Sequence, residues 1–209
     1  MTIEYPKRRE KKNKNREQLL DAADRLFATK GYQHTTLTDV AEKAGLHVQT
    51  LYKHFKNKDE LASASATTAI GHLREHFDAA REDQTTFDVW RAFISDSLTG
   101  LLPMGIGEHK RDQLRSASSM MNDTFLLIVY SGYEDVLTEH LALDFQMDPS
   151  KHQLPRLVAC MLWSGNEVAL KRCAGLDTGD DVLNDASAIL EESLAVVDEI
   201  ENIFASYLK

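Results

Sequence analysis

His47, Val48, Gln49 and Thr50 stand together in the chain, and Tyr52, Lys53, His54 and Lys58 follow closely. A glutamine amide can bond adenine at two points, and a valine or threonine methyl can pack on the methyl of thymine. Tyrosine hydroxyls, imidazole N–H groups and lysine ammonium groups all donate to phosphate oxygens. The first four therefore suit base edges, and Tyr52, Lys53 and His54 suit a phosphate backbone. Lys58, in the first turn of the next helix, adds a charge and a free backbone N–H.

The elements around these residues are helices. Leu19, Ala22, Ala23, Leu26 and Phe27 recur at helical spacing and predict a first helix over 16–30, ended by Gly31. Thr36 with Asp39 three places on has the form of a capping box and opens a second, short helix that stops at Gly45. A third helix from Val48 to Lys56 buries Leu51 and Phe55, and Asn57 with Glu60 caps a fourth that runs to Ala80. Two short helices joined by a glycine turn form a helix-turn-helix, whose second helix enters the major groove.

Beyond Ala80 the apolar spacing stays helical, predicting segments over 87–101, 109–121, 125–145, 153–173 and 180–208. The expected fold is all-α with about nine helices. A flexible basic arm spans 1–15, a three-helix helix-turn-helix head 16–61, and a larger helical body 62–209. Residues 1–58 hold 13 Lys/Arg against 7 Asp/Glu, while residues 59–209 hold 11 against 26. A basic head on an acidic body points to a polyanionic partner for the head alone. The apolar content of 43% is ordinary for a globular protein. The longest apolar run, Phe125 to Tyr130, is far short of the ~20 residues that span a bilayer. The basic start leads into polar Asn15 rather than an apolar core, unlike a secretory signal, so a cytoplasmic location is expected. Cys160 and Cys173 share one expected helix, about 20 Å apart along its axis, and are read as unbridged buried residues.

Over about residues 14–62 the chain resembles the tetracycline-repressor (TetR) family of transcription regulators. The likeness is carried by Ala22, Ala23, Leu26, Phe27, Gly31 and Tyr32, then Thr35, Thr36, Asp39, Val40, Ala41, Ala44, Gly45 and Leu46. It continues through Thr50, Leu51, Tyr52, His54, Phe55, Lys58 and Leu61. The resemblance implies that Thr36, Tyr52, His54 and Lys58 bind phosphates and that Thr38, Val48, Gln49, Thr50 and Lys53 lie nearest the bases. His47 stands where the family usually has Ser or Thr, so it is either a weak helix cap or a direct DNA contact.

The resemblance further implies that the body over 62–209 is a ligand-binding and dimerisation domain, with a small-molecule cavity among the middle helices and a homodimer through the last two. Trp90, Phe93, Met121, Phe125, Val129 and Trp163 are candidates to line an apolar pocket, with Asn166 as its polar handle. Val182, Ala186, Ile189, Val197, Ile200, Phe204 and Tyr207 form a long seam on the last helix that needs a partner surface. The expected function is a repressor released from a palindromic operator by a ligand whose identity the sequence does not give. A ligand-independent or partner-controlled DNA-binding protein is the alternative. A remote one is a zinc enzyme, since His72, Glu75 and His76 match the H-x-x-E-H pattern. Ala66, Ile70, Leu73 and Phe77 define the buried side of that helix and turn both histidines away from it. No Ser-His-Asp order, phosphate loop or CxxC pair appears, so neither catalysis nor a cofactor is expected.

Overall fold

Side-chain caps decide where most of the helices begin. In a computed structural model, which describes residues 6–104, 111, 114 and 123–208, the elements are α1 (Pro6–Lys30), α2 (Leu37–Lys43), α3 (Val48–Leu51), α4 (Lys58–Asp78) and α5 (Thr86–Leu101). They continue with α6 (Thr124–Asp144), α7 (Leu154–Cys173) and α8 (Ala186–Phe204). Thr36 and Thr85 form complete capping boxes with Asp39 and Asp88, and Asn57, Asp123 and Asp185 cap α4, α6 and α8. Each such oxygen satisfies N–H groups that the first helical turn leaves open. Among the described residues there is no strand, only an isolated bridge between Ala174 and Asp181. The helix expected over 109–121 lies almost wholly outside the described residues.

Three boundaries differ from the sequence expectation. The basic stretch expected to be a flexible arm is helical from Pro6 onward, so α1 starts ten residues before Arg16. Its Lys, Arg and Glu side chains lose little freedom in a helix, no glycine interrupts them, and proline at the first position lacks only an N–H that would be unpaired there. The last helix starts at Ala186 rather than Asp180 because Val182 N–H returns to Cys173 O at 2.7 Å and Asp185 supplies the cap. α3 ends at Leu51 rather than Lys56, and the chain continues in tighter turns, with Lys53 N–H on Thr50 O at 3.1 Å. Glu60 also departs in detail, accepting the Lys56 N–H rather than that of the cap residue Asn57.

One continuous apolar core runs through the head and the body. Leu19, Ala23, Val40, Leu51, Phe55 and Leu61 close the head, and Leu73, Leu137, Leu141 and Leu162 fill the body. The expected domain boundary after residue 61 therefore falls inside α4, a single helix that carries core residues of both parts. α4 and α6 cross closely at Gly132, where an added Cβ would run into the Ile70 side chain. Arg91 on α5 pairs with Asp198 at 2.7 Å and with Glu201, both on α8. Arg156 on α7 pairs with Asp135 at 3.0 Å and with Glu134 on α6.

Head and body are joined at Tyr32, in the turn after α1. Its N–H donates to Asp123 Oδ2 at 3.3 Å, while Asp123 Oδ1 accepts the Leu126 N–H at 2.9 Å and so caps α6. The Tyr32 hydroxyl donates to Asp59 Oδ1 at 2.5 Å, and its ring packs on Phe27, which packs in turn on Phe125 of α6.

Gly132→Ala is expected to lower stability by about 1–3 kcal/mol, the usual cost of overpacking, with partial recovery when Ile70→Ala is added; urea unfolding midpoints check both. Asp123→Ala, which removes a helix cap and a bond across the joint, is expected to cost about 1–3 kcal/mol. Amide exchange at Tyr32 should quicken selectively in that variant.

Candidate nucleic-acid interface and the adjoining cavity

The α2–α3 unit is held from behind and bare in front. Leu51 and Phe55 are buried, while His47, Gln49, Tyr52 and Lys53 are exposed and Val48, Thr50, His54 and Lys58 are half-buried. Tyr52 keeps 56% of its surface in solvent, a large share for an aromatic ring. Thr36 and Thr38 are exposed at the start of α2, where Thr36 Oγ1 accepts the Asp39 N–H at 3.1 Å. Asp39 Oδ2 in turn accepts from Lys30 Nζ at 2.7 Å and from Thr36 N–H at 2.9 Å, tying the end of α1 to the start of α2. His47 makes no side-chain cap to α3.

The helical start of α1 brings further charge to this face. The Arg16 guanidinium lies 5.3 Å from the Phe55 ring centroid. Burial first, then nearby Lys12 and Arg16, hold the His54 imidazole below its usual range. A neutral ring among cations is poised to take a proton when an anion arrives. Lys58 Nζ sits 4.2 Å from the Tyr32 ring centroid and donates to Gln33 O at 3.3 Å. Burial lowers its pKa, against the pull of Asp123, Asp59 and Asp39. It is thus an ammonium fixed in place rather than a freely swinging one.

Behind the head lies a cavity of about 560 Å³, walled by residues of α1, α4, α5, α6, α7 and α8. Six of the pocket residues expected from sequence are on its wall: Trp90, Phe93, Phe125, Val129, Trp163 and Asn166. Met121 lies outside the described residues. The sequence reading missed the contribution of α1, which supplies Asp24 and Phe27. The signal was present, since Asp24 falls four residues after Leu20 and three before Phe27, on the buried side of the helix. Burial raises the Asp24 carboxyl to about 6, with His72 opposing the rise. Trp90, fully buried, has an Nε1–H without an acceptor among the described residues.

His76 has both ring nitrogens engaged, Nδ1 with His72 O at 2.8 Å and Nε2 with Asp96 Oδ2 at 3.1 Å. Burial works against its charge, but these two bonds outweigh it and its pKa is raised. A metal ligand needs a bare nitrogen, so the zinc alternative through His72 and His76 loses one of its two donors. No group of three metal-binding side chains exists among the described residues, and no helix among them is long and apolar enough to cross a membrane.

The seam expected to seek a partner is in large part used at home. Ile189, Val197 and Ile200 are buried against the chain's own helices. Val182, Ala186 and Tyr207 of the seam stay exposed, and α7 and α8 also leave Leu157, Val168 and Ile203 exposed beside it.

Residues 19–65 match the family model described as "Bacterial regulatory proteins, tetR family". The regulator TcmR of Streptomyces glaucescens is 39% identical over 75 residues, covering 36% of this chain and 31% of that protein. The chain thus spans about a third of the length of the first curated relatives it matches. The regulator YxaF of Bacillus subtilis is 25% identical over 170 residues, 75% of this chain and 85% of its own. Among solved structures, the transcriptional regulator FadR from Bacillus subtilis, in complex with stearoyl-CoA, superposes with a TM-score of 0.51 at 20% identity. That superposition covers 86% of this chain and 98% of FadR, and it speaks for the fold. The matched segment runs from within α1 into α4, so the head is similar to that of the tetR family of bacterial regulatory proteins, and the described helices share the fold of FadR.

Proposed function

We propose that the chain is a cytoplasmic, dimeric transcriptional repressor that leaves its operator when a small molecule enters the cavity. The observation that carries this reading is the bare front of α3: His47, Gln49, Tyr52 and Lys53 exposed, with Lys12, Arg16 and Lys58 beside them. Residues 16–61 form the reading head, and residues 62–209 hold the ligand and the dimer contact. Val48, Gln49 and Thr50, with Thr38 and Lys53, face base edges; Thr36, Tyr52, His54 and Lys58 hold phosphates; and His47 extends the base-reading edge of α3. The acidic body keeps the rest of the chain away from the duplex.

The dimer forms through the exposed apolar residues that α7 and α8 leave over, Leu157, Val168 and Ile203, which a partner surface would cover. Two heads related by a two-fold axis then meet successive major grooves about 34–36 Å apart, or a multiple of that, on a palindromic site. FadR, of the same fold, holds stearoyl-CoA, and the cavity here is of a size for a small molecule. Its wall includes α1 and α4, the two helices that carry the head, so a ligand that prefers another placement of them alters the spacing of the two heads.

Selection of bound duplexes from a random pool should recover a palindrome. Retention of no duplex at low salt by folded, ligand-free protein removes the proposal. Tyr52→Phe and Lys58→Ala are expected to weaken binding to every sequence, and Lys58→Ala to reduce the slope of affinity against salt by about one phosphate contact. Gln49→Ala should relax preference at one base pair by about 1–3 kcal/mol, read as affinity ratios for substituted operators. Because a phosphate raises the depressed pKa of His54, binding takes up a proton there and tightens as pH falls through the histidine range. That increment should vanish in His54→Gln.

A further inference from the structure

The cavity's wall carries five carboxylates, Asp21, Asp24, Glu75, Asp96 and Asp123, and they are not equally matched. Asp21 pairs with Arg25 at 3.0 Å, Asp96 bonds His76, and Asp123 accepts two backbone N–H groups. Asp24 has neither an ion pair nor a hydrogen bond among the described residues. His72 and Arg25 act on it only through space. A carboxylate in this position has lost water without gaining a partner.

Next to Asp24 is an aromatic cluster. The Asp24 charge is felt at Tyr133, whose ring meets Phe93 and Trp163 edge-on, each at 5.3 Å, and Trp90 at 6.0 Å. Ring faces attract positive charge, and indole does so most strongly. The Nε1–H of fully buried Trp90 on the same wall has no acceptor among the described residues.

Resting on the ligand-controlled reading above, we propose that this cavity takes a lipophilic organic cation, its charge opposite Asp24 and its apolar body on Trp90, Phe93, Tyr133 and Trp163. An anionic ligand such as an acyl-CoA would bring like charge to the unmatched carboxylates. Affinity for the cation depends on pH through Asp24, which faces Asp21 and Arg25 on its own helix, His72, Glu75 and His76 on α4, Asp96 on α5, Asp123 before α6, and Tyr133 on α6. The Asp24 carboxyl, held at about 6 by burial, must be ionised to pair the guest. Binding therefore strengthens as pH rises through that value, and protonation of His76, whose pKa is raised, acts in the same direction at lower pH.

The test uses two probes of matched size and opposite charge, tetraphenylphosphonium and tetraphenylborate, on the intact chain. Trp90 and Trp163 are both of its tryptophans and both line the cavity, so their fluorescence reports occupancy directly. The phosphonium is expected to bind at least about tenfold tighter than the borate, and Asp24→Asn to remove about tenfold of that affinity. The gain in phosphonium affinity between about pH 5 and about pH 7 should be lost in the variant, while in the native chain it needs no substitution to be seen. Equal binding of the two ions, preference for the borate, or binding of neither overturns the proposal. Duplex retention measured with each probe separates the two readings. Phosphonium binding without DNA release leaves the cation site standing and removes ligand control. Release by the borate alone does the reverse.

Discussion

Asp123 commits its two carboxylate oxygens to different parts of the molecule, one to the first turn of α6 and the other to the backbone of Tyr32 in the head. Everything in front of the joint is placed relative to that residue. Tyr32 fixes Asp59 through its hydroxyl and carries Lys58 on its ring, so the start of α4 and the end of α1 are held as one piece. The α2–α3 unit adds little apolar surface of its own. It keeps its position because Lys30, Thr36 and Asp39 are linked to the same piece and because Leu51 and Phe55 reach into the shared core.

The body obeys a different balance. α6 packs between α4 and α7 with Ser131, Asp135 and Glu139 on its exposed side, while α8 leans on α7 and α5. Close crossings at Gly132 and Gly165 let these helices approach without a side chain between them. Arg91 and Arg156 then fix the register of neighbouring helices from the rim, where the pairs keep some water and add specificity more than stability.

Periodicity was enough to read the helices, because a stripe recurring every three or four residues has only one regular structure that buries it. Thr36 and Asp39 could be named as a cap from spacing alone, and the structure has both bonds. The expected arm was misjudged for a related reason: a charged run has no stripe, yet lysine, arginine and glutamate extend a helix once one is nucleated next to them. Seven pocket candidates, six aromatic or apolar and one polar, were named from residue type and helical position, and the six described ones share one wall. The spacing of Asp24 from Leu20 and Phe27 marks it as facing inward, but its place on the cavity wall is set only by the packing of α1 on α4 and α6. The start of α8 was hidden likewise, because the Ala174 to Asp181 bridge is a contact between residues whose types carry no pairing code.

The position of Asp24 also bears on how a ligand could speak to the head. Phe27 and Thr29, on the last turns of α1, line the same cavity as Asp24, and Phe27 is the residue on which the Tyr32 ring rests. A guest that draws Asp24 toward itself pulls on a helix whose far end carries the Asp123, Asp59 and Lys58 contacts. Those contacts bind well in one arrangement only, since each is a directional hydrogen bond or ring contact, so the joint has a preferred geometry to lose rather than a continuum to slide along. On the proposed reading, control requires that the guest bind the displaced arrangement better than the resting one, and its leverage is limited to that difference in affinity. A wall shared between the head's first helix and the body is where such a difference can arise without any relay through the core.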